Sequence, residues 1–269
     1  VTHTSEHPED SDLISSSNGV FIDNIFFKTQ ETNNKLNAYL GNSGISVVRK
    51  DILNLILPPL NDKKSSLFNY VVKMMFTKKQ LIYSYNTTEY LKDMGTPKRF
   101  KIVEKDLRDN KVYPKNYLNK QKALFIDRDN TIIKCKRGDY ILNLMDINFL
   151  EKNISKISLI SKNYDFVCIV TNQPQVSMGY LNLFDLNNIN SFIIKHCLSK
   201  GLKIDVVTFC PHHPEKGFKN EIEILKKDCF CRKPNPGLLI EQAFFRNIDL
   251  KNSLMIGDSE KIQIAAKTA

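Results

Sequence analysis

From about residue 122 onward the chain repeats one arrangement: a short apolar run, then a polar cluster, then a longer stretch with helical spacing. The runs "KALFI", "FVCIV", "IDVVTF" and "SLMIG" have the length and the branched or aromatic content of buried strands. In the segment 181 to 200, Leu186, Ile189, Ile193 and Cys197 recur at three- and four-residue steps, and Gly201 supplies a stop. Strand and helix in alternation predict an α/β fold, a Rossmann-like parallel sheet flanked by helices. The ligand crevice of such a sheet lies at the carboxyl ends of its strands. Here the strand at Phe125 leads to Asp127 and Asp129, the one at Ile169 to Thr171, Asn172 and Gln173, and the one at Met255 to Gly257 and Asp258.

Ionised carboxylates at the mouth of a buried strand are costly to desolvate unless something compensates them. Alone, D-x-D reads as a pair of capping or turn aspartates. Thr131 extends it to D-x-D-x-T, a layout suited to phosphoryl transfer through a covalent aspartyl phosphate. Asp127 would attack phosphorus, and Asp129 would protonate the leaving alkoxide and later activate water. Thr171 offers the hydroxyl, Lys233 of "CRKPNPG" the cation and Asp258 of "MIGDSE" a metal ligand. A Mg²⁺ ion held by Asp127, Asp129 and Asp258 would offset the charge.

"CPHHPEKGFKNEIEILKKDCFCRKPNPG" holds Cys210-x-His212 and, after a charged insertion, Cys229-x-Cys231. Three thiols and one imidazole make a closed tetrahedral zinc set with no position left for catalysis. Such a clip would hold the substrate loop and deliver Arg232 and Lys233 to the crevice. His213 has the poorer offset from Cys210, and Cys135, Cys168 and Cys197 read as core residues.

Together "FIDRDNTI", "VTNQPQVSMGY", "CPHHPEKG", "CFCRKPNPG" and "MIGDSE" resemble the D-glycero-D-manno-heptose 1,7-bisphosphate 7-phosphatases and their histidinol-phosphate phosphatase relatives in the haloacid-dehalogenase superfamily. The resemblance implies a Mg²⁺-dependent phosphomonoesterase of the cytoplasm, acting on a phosphorylated sugar in synthesis of nucleotide-activated heptose. It implies catalytic or metal-binding roles for Asp127, Asp129, Thr171, Lys233 and Asp258, with Asn172, Gln173 and Arg232 facing substrate. Asn130 stands where the family usually has Gly, and Pro174, Gln175 and Met178 interrupt the usual "TNQSGIARG", removing a positive side chain. Ile262 sits where an acidic residue often follows, with Glu260 nearby. Histidinol phosphate, a nucleic-acid 3′-phosphate, or a zinc-stabilised remnant without catalysis are the competing readings.

Residues 1 to 110 form a separate part, joined through a linker at 111 to 121 to the phosphatase-like part at 122 to 269. "HTSEHPEDSDLI", "SSNGVF" and "YNTTEYLKDMGTPKRF" resemble the distal half of a sugar-phosphate nucleotidyltransferase, which implies a metal-binding Asp93 and a sugar-contacting turn at Asn18 and Gly19. The Gly-rich nucleotide-cradling loop of such transferases is absent, so no nucleotide transfer is expected from this chain. The opening Val and the close inside an apparent helix suggest a piece of a longer, bifunctional protein. The net charge of +10 comes from lysines scattered among Asn, Ile and acids rather than from a dense run, so neither a nucleic-acid partner nor a membrane is expected.

Overall fold

The computed structural model describes residues 1–4, 12–16, 21–22, 24–26, 40–56, 67–87, 89–136 and 139–269. Its first part is an antiparallel sheet of β1 (Thr2–Thr4), β2 (Leu13–Ser15), β3 (Asn24–Phe26) and β4 (Leu40–Asn42), in the order β1-β4-β2-β3. Helices α1 (Lys50–Ile56) and α2 (Leu67–Thr77) follow, and Ile14, Ile25 and Leu40 bury against Val72 of α2. Helix α3 (Pro97–Arg108) starts where the sequence dictates: Thr96 accepts from the Arg99 amide, and Pro97 takes the first turn, where no N–H is needed. Asp93 accepts from the Gly95 amide at 2.7 Å and pairs with Arg99, so its carboxylate is engaged in the turn that leads into α3. It belongs to no metal-capable group among the described residues. Asn18 and Gly19 lie outside the described residues.

The second part contains β5 (Ala123–Ile126), a small hairpin of β6 (Ile133–Lys134) and β7 (Asn148–Phe149), α4 (Glu151–Ser161), β8 (Phe166–Asn172), α5 (Leu183–Ser199), β9 (Val206–Cys210), α6 (Gly237–Arg246), β10 (Leu254–Ile256) and α7 (Glu260–Thr268). Strands β10-β5-β8-β9 form a wholly parallel sheet, with Leu124 opposite Val167 and Leu254. Successive residues of a strand face opposite sides, so a sheet covered on both faces needs unbroken apolar runs. Leu124 and Ile126 meet Ile154 of α4 and Ile189 and Ile193 of α5; Ala123 and Phe125 meet Leu238 of α6 and Ala265 of α7. Each such Leu, Ile or Phe contributes roughly 1.5–3 kcal/mol on burial.

The helix expected over 181 to 200 spans Leu183–Ser199, because Asn182 caps it by accepting from the Asp185 amide at 2.8 Å. Gly201, at φ +79°, ends it. Cys168 and Cys197 are fully buried, whereas Cys135 is half-buried. Gln121 docks the end of the 111–121 segment, donating through its amide to the Asn247 carbonyl at 3.0 Å. Among the described residues no helix is long and apolar enough to cross a membrane.

Candidate active site

Strand β5 carries Asp127 out at its carboxyl end, and the Asp127 amide donates to the Ile256 carbonyl of β10 at 2.8 Å. Asp127 is 8% exposed and Lys233 6%. The Lys233 ammonium donates to Asp127 Oδ1 at 2.6 Å and to the Val170 carbonyl of β8 at 2.8 Å. Burial pushes the Asp127 carboxyl upward in pKa, and the facing ammonium opposes that shift. Oδ1 also accepts the Arg128 amide at 2.9 Å, while Oδ2 takes no hydrogen bond from the described residues. The nucleophile candidate therefore has one oxygen held and one free.

Asn172 brackets the main chain of Lys233: its Oδ1 accepts from the Lys233 amide and its Nδ2 donates to the Lys233 carbonyl, both at 3.0 Å. This ties the end of β8 to the loop before α6. The thiol cluster acts on the same loop two residues earlier. In five of their six pairings Cys210, His212 Nδ1, Cys229 and Cys231 stand 3.2–3.6 Å apart, a spacing close to the ~4 Å edge that tetrahedral bonds of about 2.3 Å require. The cysteines are unbridged, and all four donors lie within 4.8 Å of one another, so the group could hold a metal ion. Hydrogen bonding with Cys210, and with Cys229 and His212, pushes the Cys231 thiol down to about 5. His213 stays out of the cluster; its ring lies edge-on to Phe218.

Asp129 has partners of its own. Arg128, 1% exposed, forks onto it through Nε at 3.0 Å and Nη2 at 3.3 Å, and Nη1 donates to Asn190 of α5 at 3.1 Å. Gln173 Nε2 donates both to Asp129 Oδ2 at 3.1 Å and to Thr171 Oγ1 at 2.8 Å. The turn after Asp129 needs a left-handed residue, and Asn130 supplies it at φ +58°, so the Gly-to-Asn departure keeps the turn. Gly257 lets the end of β10 pass Asp127: a Cβ there would lie 3.1 Å from Asp127 Cβ and 2.1 Å from Ile262 Cδ1.

Asp258 is exposed and makes no hydrogen bond with the described residues, and Asp127, Asp129 and Asp258 form no group of ligand atoms within 4.8 Å. Lys233 pairs with Asp127 and Arg128 with Asp129, each separately. Ile262 is 3% exposed and packs over Gly257, which accounts for an apolar residue at a position expected to be acidic. Of the residues expected to face substrate, Asn172 and Gln173 are bound within the site. Arg232 donates to the His212 carbonyl at 3.1 Å. Sequence reasoning missed Arg128; its signal was an arginine flanked by two aspartates on a buried strand end.

A carboxylate facing a buried lysine, with a second carboxylate and a hydroxyl on adjacent strand ends, is the arrangement of a phosphatase site of the haloacid-dehalogenase type. Residues 122–268 match the family described as Polynucleotide kinase 3 phosphatase, and the chain belongs to that family. The D-glycero-beta-D-manno-heptose-1,7-bisphosphate 7-phosphatase of Vibrio cholerae is 31% identical over 147 residues, 55% of this chain and 76% of that protein. A putative haloacid-dehalogenase-like phosphatase from Mesorhizobium loti aligns with a TM-score of 0.50 at 29% identity, over 55% of this chain and 68% of that one. The D,D-heptose 1,7-bisphosphate phosphatase of B. bronchiseptica, solved with magnesium and phosphate, aligns with a TM-score of 0.46 at 26% identity over 55% and 76%. The family match begins at residue 122 and lends nothing to the nucleotidyltransferase resemblance of residues 1 to 110.

Proposed function

We propose that the chain removes the 7-phosphate of a D-glycero-D-manno-heptose 1,7-bisphosphate through an aspartyl phosphate on Asp127. The observation that carries the chemistry is Asp127 itself, with Oδ1 held by Lys233 and Oδ2 free to attack. In the first step an Asp127 oxygen bonds phosphorus, the ester P–O bond breaks, and the leaving alkoxide takes a proton from the Asp129 carboxyl. In the second, the Asp129 carboxylate takes a proton from water, the hydroxide bonds phosphorus, and the acyl phosphate P–O bond breaks to restore Asp127 and release orthophosphate. Lys233 and Thr171 donate to the phosphoryl oxygens as charge builds on them.

The donors available at the two strand ends, Asp127, Asp129 and Asp258, are the hard oxygens that suit magnesium. Magnesium bound there would neutralise charge on the phosphoryl group. The Cys210, His212, Cys229 and Cys231 set suits zinc as a structural clip, and a reducing compartment such as the cytoplasm keeps those thiols free. The relatives' names carry the sugar substrate, and the family's description favours a second reading, a nucleic-acid 3′-phosphate.

The test is phosphate release from heptose 1,7-bisphosphate with and without Mg²⁺, by the native chain and Asp127→Asn. Mg²⁺-dependent turnover that the variant lacks, unchanged by added DNA, is expected. Turnover of a 3′-phosphorylated oligonucleotide in preference to the sugar would select the second reading. No turnover of either by folded protein would reject both.

A further inference from the structure

The loop after β8 carries "PQVSMG" at 174 to 179, and Gln175 stands where the family pattern has a glycine. Its side chain is 1% exposed, as is that of Gln173. In its ionised form, which pairs with Arg128 and takes the proton from water, Asp129 only accepts hydrogen bonds, so the Gln173 atom 3.1 Å from it is then the amide nitrogen. The same nitrogen reaches Thr171 Oγ1 at 2.8 Å and so uses both its hydrogens, leaving the Thr171 hydroxyl its own proton to donate elsewhere. Gln173 Oε1 then points the other way, and Gln175 Nε2 donates to it at 2.5 Å. A reversed Gln173 amide would set oxygen against the Asp129 carboxylate and nitrogen against the Gln175 nitrogen. Both arrangements are unfavourable where water cannot intervene.

Gln175 is itself held, since its carbonyl accepts from the Tyr180 and Leu181 amides at 2.9 and 3.2 Å. Its own Oε1 is buried with no hydrogen-bond partner among the described residues. An orphaned buried acceptor is costly, so packing alone does not account for a glutamine at this point.

We propose that Gln175 is a positioning residue: its carboxamide fixes the orientation of Gln173, so that one amide nitrogen holds Asp129 and Thr171 together. The role rests on the reading of Asp129 as the proton donor to the leaving group. A residue acting through that proton matters most when the leaving group needs one. An alkyl ester such as a sugar phosphate does; p-nitrophenyl phosphate, whose phenolate leaves unaided, does not.

The experiment compares kcat and KM on heptose 1,7-bisphosphate and on p-nitrophenyl phosphate for the native chain, Gln175→Met and Gln175→Glu. Gln175→Met keeps the shape and loses the donor. It should lower kcat on the sugar ester about 10-fold more than on the aryl ester, a fraction of what general acid catalysis supplies, with KM little changed. Gln175→Glu brings acceptor against acceptor and should be the more impaired of the two, although it is closer to glutamine in shape. A loss no larger on the sugar ester than on the aryl ester, or a Glu variant that outperforms Met, would overturn the inference. Gln175→Gly, the family's own residue, serves as the donor-free variant if Met or Glu prevents folding.

A reading independent of turnover separates this inference from the proposed function. The side-chain amide protons of Gln173 should exchange slowly with solvent in the native chain and rapidly in Gln175→Met, measured by NMR. Equal protection in both overturns the positioning role even in a chain that hydrolyses neither ester, and that inactivity alone would reject the phosphatase substrate.

Discussion

Replacing Lys233 by methionine keeps most of the aliphatic volume and removes the charge that faces Asp127 across 2.6 Å. Both groups are buried, and removing one partner of a buried pair typically costs about 3–5 kcal/mol, because the other charge is left without compensation. Asp127 has an escape: it can take up a proton. From an ordinary carboxyl value of 3.8, doing so at pH 7 costs about 4 kcal/mol at about 1.4 kcal/mol per pH unit, which caps the loss. The folded-state value of Asp127 is already raised, and losing Lys233 raises it further. Stability associated with this group is therefore fullest at low pH and is lost as pH rises through the folded-state value. The unfolding free energy of Lys233→Met should fall below that of the native chain by up to about 4 kcal/mol at pH 7, and by less at pH 5. Urea titrations of both chains at the two pH values, without added magnesium, measure the difference. A deficit that stays constant with pH, or that is below about 1 kcal/mol at pH 7, would refute the claim that Lys233 offsets a buried carboxylate.

Gly257→Ala would press a Cβ into Ile262 Cδ1, and overpacking of this kind costs about 1–3 kcal/mol; adding Ile262→Val should restore part of it, as a double-mutant cycle in urea would show. Asn130→Gly should keep phosphatase activity, since glycine reaches φ +58° freely, whereas Asn130→Val should lose about 1–2 kcal/mol of stability by thermal melting. Cys231→Ser should reduce bound zinc, assayed by metal analysis, well below the about one equivalent expected of the native chain, and should lower kcat through displacement of Arg232 and Lys233.

Strands β5, β8, β9 and β10 were legible because both faces of the sheet are covered, which forces unbroken apolar runs onto the sequence. The end of α5 was legible too, because a left-handed residue leaves its mark as Gly201. The spatial order β10-β5-β8-β9 was not, since the pairing that puts β10 beside β5 joins segments more than a hundred residues apart. At the site, residue types and spacing picked out Asp127, Asp129, Thr171, Lys233 and the thiol set, while orientation stayed out of reach. Asn172 and Gln173 carry ordinary carboxamides whose partners only the fold supplies, and the fully buried Arg128 looks like a surface residue on paper. The antiparallel sheet of residues 1–42 is built from three-residue strands too short to show a period.

The pair that joins Asp127 to Lys233 spans 106 positions of sequence, and β5, made first, is flanked by β8 on one side and by the last-made β10 on the other. A ribosome working at about 5–20 residues per second leaves the β10-facing edge of β5 without its neighbour for on the order of ten seconds. During that interval a wholly apolar strand presents unpaired amides and carbonyls, the form of edge that pairs readily with other chains. Synthesis therefore runs with Asp127 exposed before its lysine exists, and chains halted between Lys233 and Leu254 are expected to engage chaperones or aggregate more than either shorter or complete ones. Counting soluble nascent chains at successive stall points would reveal that window.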